Sequence, residues 1–99
     1  MKSEARILVS ACTIDSCVGV VLRGIGIDGA VSGSSCAELC RDAAKHGFLG
    51  ETRYFLGDCP CGLKEVPLVP IHALAWLRLL YNIAAETSLI KRKHCSGKG

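Results

Sequence analysis

Residues 35–62 read SCAELCRDAAKHGFLGETRYFLGDCPCG and carry four of the chain's seven cysteines. Ser35 followed three residues later by Glu38 is a capping box: the hydroxyl accepts from the Glu38 N–H while the carboxylate reaches back to the Ser35 N–H. A helix is therefore expected from Cys36. Cys36, Leu39, Cys40 and Ala43 then fall at i, i+3, i+4 and i+7, so one stripe carries two thiols together with the apolar side chains. Gly47, after Lys45 and His46, is the expected left-handed stop. Thr52 to Leu56 are β-branched or aromatic apart from Arg53 and read as a strand, which leads through Gly57-Asp58 into Cys59-Pro60-Cys61-Gly62.

The spacing of these thiols narrows their chemistry. Side chains four apart on a helix have Cβ atoms about 5–6 Å apart, beyond the ~3.8 Å of a disulfide, so Cys36 and Cys40 do not pair with each other. Residues two apart in an extended segment point the same way, so Cys59 and Cys61 present a second parallel pair. Three states are compatible with that pattern: cross-links from the helix to the Cys-Pro-Cys segment and other parts of the chain, one tetrahedral zinc held by Cys36, Cys40, Cys59 and Cys61, or ordinary reduced core cysteines.

The order Ala11-Cys12-Thr13-Ile14-Asp15-Ser16, Ser35-Cys36-Ala37-Glu38-Leu39-Cys40, Gly47-Phe48-Leu49-Gly50 and Asp58-Cys59-Pro60-Cys61-Gly62 resembles the first two-thirds of a WSC domain. Five cysteines, Cys12, Cys36, Cys40, Cys59 and Cys61, match that pattern in order over residues 11–62. The resemblance implies a small extracellular, disulfide-bonded module that binds polysaccharide, without catalytic residues. On that reading Arg53, Tyr54 and Phe55 are the contact residues, because aromatic rings stack on sugar faces. The chain departs from the pattern at Thr13 and Pro60, where the family carries aromatics, and at Cys17, which has no counterpart. After Gly62 it offers an apolar helix and a single Cys95 in place of further cysteines.

Ninety-nine residues make one domain, 1–99, with 11–62 as its cysteine-rich core and 71–93 as a C-terminal helix. Seven cysteines in that length approach a disulfide scaffold, and the odd count leaves one thiol over. These features point to an extracellular or cell-surface location. Residues 1–11, MKSEARILVSA, nevertheless contain only Ile7 to Val9 as an unbroken apolar run, short of the roughly 7–15 residues of a secretory core.

Arg6–Ala11 and Val18–Leu22 read as strands around a turn at Asp15-Ser16. Gly24, Gly26, Gly29 and Gly33 make 23–35 a loop. Its G-x-G-x-x-G does not open a helix as a dinucleotide site requires, because Ala30 to Ser34 intervene. Leu63 to Pro70 reads as a connector, in which Pro67 and Pro70 each deny a backbone donor. Residues 71–93 contain no glycine or proline and form the longest expected element, with Arg78, Asn82 and Glu86 as a narrow polar stripe. That helix is too interrupted by His72, Arg78, Asn82 and Glu86 to span a membrane. Lys91, Arg92, Lys93 and His94 complement its carbonyl end, and no aromatic is interleaved as nucleic-acid stacking requires.

The expected fold is therefore α+β: a small cysteine-rich single domain with a capped central helix, a few short strands and a long C-terminal helix. The expected function is a non-catalytic, extracellular polysaccharide-binding module without a cofactor. Two alternatives are an intracellular cysteine-ligated zinc domain, and a small interaction protein that meets a partner protein or a second copy through its 71–93 helix.

Overall fold

The computed structural model describes residues 5–98, with the side chains of 5–89. It is an α+β fold of five strands and two helices: β1 Arg6–Cys12, β2 Cys17–Arg23, β3 Gly26–Gly33, α1 Cys36–Lys45, β4 Thr52–Gly57, β5 Lys64–Glu65 and α2 Ile71–Lys98. The strands form one sheet in the order β3-β2-β1-β4-β5. β1, β2 and β3 are an antiparallel meander. The chain then crosses the sheet as α1, so that β4 joins the far side of β1 in parallel and β5 joins β4 in parallel.

Strand alternation gives the sheet two distinct faces. Leu8, Val21 and Val31 point toward α1 and pack with its buried Leu39 and Ala43. Val9, Ala11, Val20 and Leu22 point the other way, where Ala73 and Leu80 of α2 cover them with Ile7, Val18, Leu56, Trp76 and Leu77 at the margin. The apolar runs of β1 and β2 are continuous because helices bury both faces.

Helix α1 begins and ends at the expected residues. Ser35 caps it, its hydroxyl accepting from the Glu38 N–H at 3.3 Å. The Glu38 carboxylate reaches past Ser35 and accepts instead from the N–H and hydroxyl of Ser34, at 3.0 and 2.7 Å. Those hydrogen bonds hold its pKa below the ordinary 4.5. At the other end Gly47 adopts φ +77°, and the Gly47 and Phe48 N–H groups donate back to Ala44 and Ala43. This is the paired closure of a Schellman stop.

The segment 23–35 differs from the sequence expectation, for its glycines do not end the sheet. Gly24, at φ +61°, supplies the positive dihedral of a two-residue turn, and β3 follows at once. A register shift between Val21 and Leu22 leaves Asp28 as an extra residue. From there its carboxylate lies 2.6 Å from Arg6 Nε, a charge contact without the alignment of a hydrogen bond, and 3.4 Å from Arg23 Nε. Gly29 and Gly33 sit where no side chain fits. A Cβ at Gly29 would stand 2.1 Å from Cζ of Phe48, and one at Gly33 would stand 2.6 Å from the Leu39 nitrogen. Glycine here lets a helix and an aromatic ring approach the sheet.

Two further elements extend the sequence reading. Lys64–Glu65 pairs with Tyr54 and Phe55 inside what reads as a proline-bounded connector, and α2 continues through Lys98 rather than ending near Lys93. The side chains of Lys91, Arg92, Lys93, His94, Cys95 and Lys98 lie outside the described residues. No helix among the described residues is long and apolar enough to cross a membrane.

Gly57, at φ +113°, is the most tightly enclosed of the described glycines, since a Cβ there would run into the Ser10 carbonyl oxygen. Strain at a left-handed dihedral and overpacking each cost about 1–3 kcal/mol. Gly57→Ala is expected to lower unfolding stability by about 3 kcal/mol or more, read as a fall in the urea midpoint at unchanged slope.

Candidate functional site

The chemistry-bearing residues gather where β1 ends, β2 begins, α1 starts and β4 turns away. Cys12 and Cys17 face each other across the β1–β2 hairpin. Its loop is closed by the Thr13 N–H donating to the Ser16 carbonyl at 2.7 Å. These two residues form a disulfide, and Cys36–Cys59 and Cys40–Cys61 form two more. All five cysteines singled out from the sequence are cross-linked. Cys17, which the family pattern lacks, is the sixth.

Two elements of different period make the α1 bridges. On α1, Cys36 and Cys40 are one turn apart, about 6 Å along the axis. In the corner, Cys59 and Cys61 are two residues apart, a span of up to about 6.6 Å where the backbone between them is extended. The two spacings match, and the Cα–Cα separations of the two bridged pairs are correspondingly alike, 5.2 and 5.3 Å. The corner is held in shape by Cys61 at φ +51° and Gly62 at φ +77°, and by the Leu63 N–H donating to the Pro60 carbonyl.

Backbone hydrogen bonds place Cys59 with equal care. Its N–H donates to the hydroxyl of the fully buried Ser10 at 3.0 Å, and the neighbouring Asp58 N–H donates to the Ser10 carbonyl at 3.2 Å. A buried hydroxyl must find a partner, and this one is used to fix the corner on β1. The Asp58 carboxylate accepts from the Cys12 N–H at 2.8 Å and from the Tyr81 hydroxyl at 2.7 Å. The hydrogen bond to Asp58, with burial and the carboxylate's charge, raises the Tyr81 pKa above its usual 10.0. Farther along α2, Ser88 donates to Asp15 at 3.1 Å and lies 2.9 Å from the Thr13 hydroxyl. The sulfur corner is thus tied to both helices.

The four sulfurs offered to zinc by the sequence, Cys36, Cys40, Cys59 and Cys61, do not converge as a set. They are consumed as two side-by-side bridges, because each helical thiol meets its own partner in the corner. The sulfurs that do converge are those of Cys12, Cys17, Cys36 and Cys59, all within 4.8 Å of one another. Cysteines at both ends of one short hairpin signal only the Cys12–Cys17 part of this grouping.

The three residues proposed as ligand contacts are not presented together. Phe55 pairs with Leu8 and Tyr54 with Ile7, so the two rings, both half-buried, belong to opposite faces of the sheet. Arg53 is the extra residue at the register shift between Arg6 and Ile7 and is exposed. It lines a cleft of about 450 Å³ with Ala5, Arg6, Arg23, Gly50, Glu51 and Thr52. Of the histidines, His46 is held by its own helix, Nδ1 lying 2.9 Å from the Asp42 carbonyl oxygen and 3.3 Å from its carboxylate.

No protein-family model, curated protein or solved structure matches the chain.

In the chain-entropy model each of the two α1 bridges, with sequence separations of 23 and 21, is worth about 3 kcal/mol taken alone. They enclose almost the same loop, so the second to form closes only a small ring and adds about 2 kcal/mol. Removing Cys40–Cys61 by paired serine substitution is therefore expected to cost about 2 kcal/mol, and removing both bridges about 5. Denaturant unfolding checks this, with intact mass before and after reduction confirming a change of about two mass units per bridge. Equal and additive losses would show that the two bridges constrain different loops.

Proposed function

We propose that this chain is a non-catalytic, disulfide-stapled extracellular module that recognises cell-wall or matrix polysaccharide, with the cleft beside Arg53 as its principal contact. The three disulfides support an oxidising compartment. The observation that carries the ligand class is the cleft wall. Arg6 is spent on Asp28 and Glu51, and Arg23 on Asp28, whereas Arg53 has no ion pair among the described residues. Its planar fork of N–H donors suits sugar hydroxyls and, more strongly, sugar carboxylates. Phe55 and Tyr54 lie on opposite faces, so one sugar chain stacks on at most one of them, and the guanidinium supplies the greater share of the contact.

Affinity electrophoresis through gels containing neutral β-glucan or polygalacturonate tests this reading. Retardation is expected, greater in the acidic polymer, and Arg53→Ala is expected to weaken it about tenfold, the worth of one charge-assisted hydrogen bond. Migration unchanged in every gel, or retardation indifferent to Arg53→Ala, Tyr54→Ala and Phe55→Ala alike, would dismiss it.

The apolar surface of α2 favours a second reading, in which the helix meets another copy of the chain. Ile71, Leu74 and Leu89, with Leu68 just before the helix, are all more than half exposed, and Ile71, Leu74, Ala75 and Arg78 line a cleft of about 470 Å³. Leu77, by contrast, is partly buried against the sheet core, so substituting it would disturb that packing as well as any association. Sedimentation should show concentration-dependent association that Ile71→Asp with Leu74→Asp abolishes at unchanged stability. A monomer at all accessible concentrations would dismiss self-association.

A further inference from the structure

We infer that the convergence of Cys12, Cys17, Cys36 and Cys59 from β1, β2, α1 and the β4 corner is a latent tetrathiolate site for one zinc ion. The same four sulfurs then close the fold either as two disulfides or, once reduced, around a metal. A tetrahedral zinc with bonds of about 2.3 Å to sulfur sets its ligand sulfurs about 3.8 Å apart. Across the two disulfides, Cys12 Sγ lies 3.4 Å from Cys59 Sγ and 3.6 Å from Cys36 Sγ, and no pair among the four exceeds 4.8 Å. Opening the two S–S bonds and relaxing each sulfur by an ångström or two produces the metal geometry, with no movement of one element past another.

The same two distances argue against a simple relay between the bridges. A thiolate attacking Cys59 in line with the Cys36–Cys59 bond would lie farther from Cys36 than from Cys59 by one S–S bond, about 2 Å. Cys12 is almost equidistant from both, seated over the bond rather than along it. That is the position of a tetrahedron's apex.

The surroundings fit a metal as well. Cys17 and Cys59 are buried, while Cys12 and Cys36 are half-buried and leave an entry path. Four thiolates around Zn²⁺ leave a surplus of two negative charges, and Cys36 in the first turn of α1 sets the positive end of the helix against them. The Asp58 carboxylate, of the same sign as that surplus, is already engaged by the Cys12 N–H and the Tyr81 hydroxyl. A dithiol reductant supplies two electrons and two protons to each disulfide and leaves as its own disulfide. Zn²⁺ then displaces four thiol protons. Cys40–Cys61 stands outside the cluster and takes no part.

The test uses the full chain carrying Cys40→Ser, Cys61→Ser and Cys95→Ser, reduced with a phosphine and titrated anaerobically with Co²⁺, then Zn²⁺. One Co²⁺ per chain, with the intense visible bands of tetrahedral tetrathiolate cobalt and displacement by one Zn²⁺, is the expected result. Adding Cys17→Ser should weaken binding at least ~100-fold, the upper range for second-shell changes, since a ligand itself is lost. The bands report metal whether the reduced chain is already folded or folds as metal binds. Absence of uptake, or uptake indifferent to Cys12→Ser and Cys17→Ser, overturns the site. So does a wild-type site that Cys40→Ser with Cys61→Ser destroys.

Discussion

Everything in this fold depends on how α1 is fastened to the corner that follows β4. One helical turn and two extended residues advance by nearly the same length. A Cys-x-x-x-Cys helix and a Cys-x-Cys segment can therefore be bridged twice only when they run side by side. A single bridge would leave α1 free to pivot about one point; two fix its direction and its rotation. With rotation set, Leu39 and Ala43 face the sheet and the opposite side of α1 faces water. Cys36, at the first position of the helix, is then delivered to the end of β1, where Cys12 and Cys17 already stand.

The sheet accommodates that fastening by giving up side chains. Gly19, Gly29 and Gly33 lie on the face toward α1, paired in register with Ser10, Val21 and Cys17 or their partners. Phe48, brought over the sheet by the Schellman stop of α1, occupies the space a residue at 29 would fill. Gly57 meets the Ser10 carbonyl on the same principle, and Ser10 in turn holds Cys59 through its hydroxyl. Small residues on the strands are therefore the counterpart of the cross-links on the helix. A bulkier sheet would push α1 away and leave its thiols out of reach of the corner.

The parts of the fold that were legible in the sequence are those encoded locally. The Ser35 cap, the stripe of α1, the Gly47 stop and the incompatibility of Cys36 with Cys40 follow from near-neighbour geometry. The two-residue spacing of Cys59 and Cys61 likewise implied a matching second pair. What escaped depends on contacts made across the sheet. β3 reads as loop because its glycines look like breaks, and only the nearness of Phe48 and α1 makes glycine the residue a strand needs there. The grouping of Cys17 with Cys12, Cys36 and Cys59 was hidden for the same reason, since it requires the hairpin register and the α1 crossing together. Arg53, Tyr54 and Phe55 look like one patch in sequence, but strand alternation divides the two rings between faces and a register shift sends Arg53 to the cleft. Leu77 shows the same limit on α2, where a broadly apolar helix does not announce which of its leucines the sheet will cover.

Asp58 joins these levels. It follows Gly57, precedes Cys59, and its carboxylate takes one hydrogen bond from the end of β1 and one from Tyr81 of α2. The second helix is thus fastened at the same point as the first, by hydrogen bonds where α1 uses sulfur. Because folding raises the Tyr81 pKa above 10.0, this contribution is complete below that value and is lost only as pH rises through the raised one. Across the neutral range both fastenings are closed.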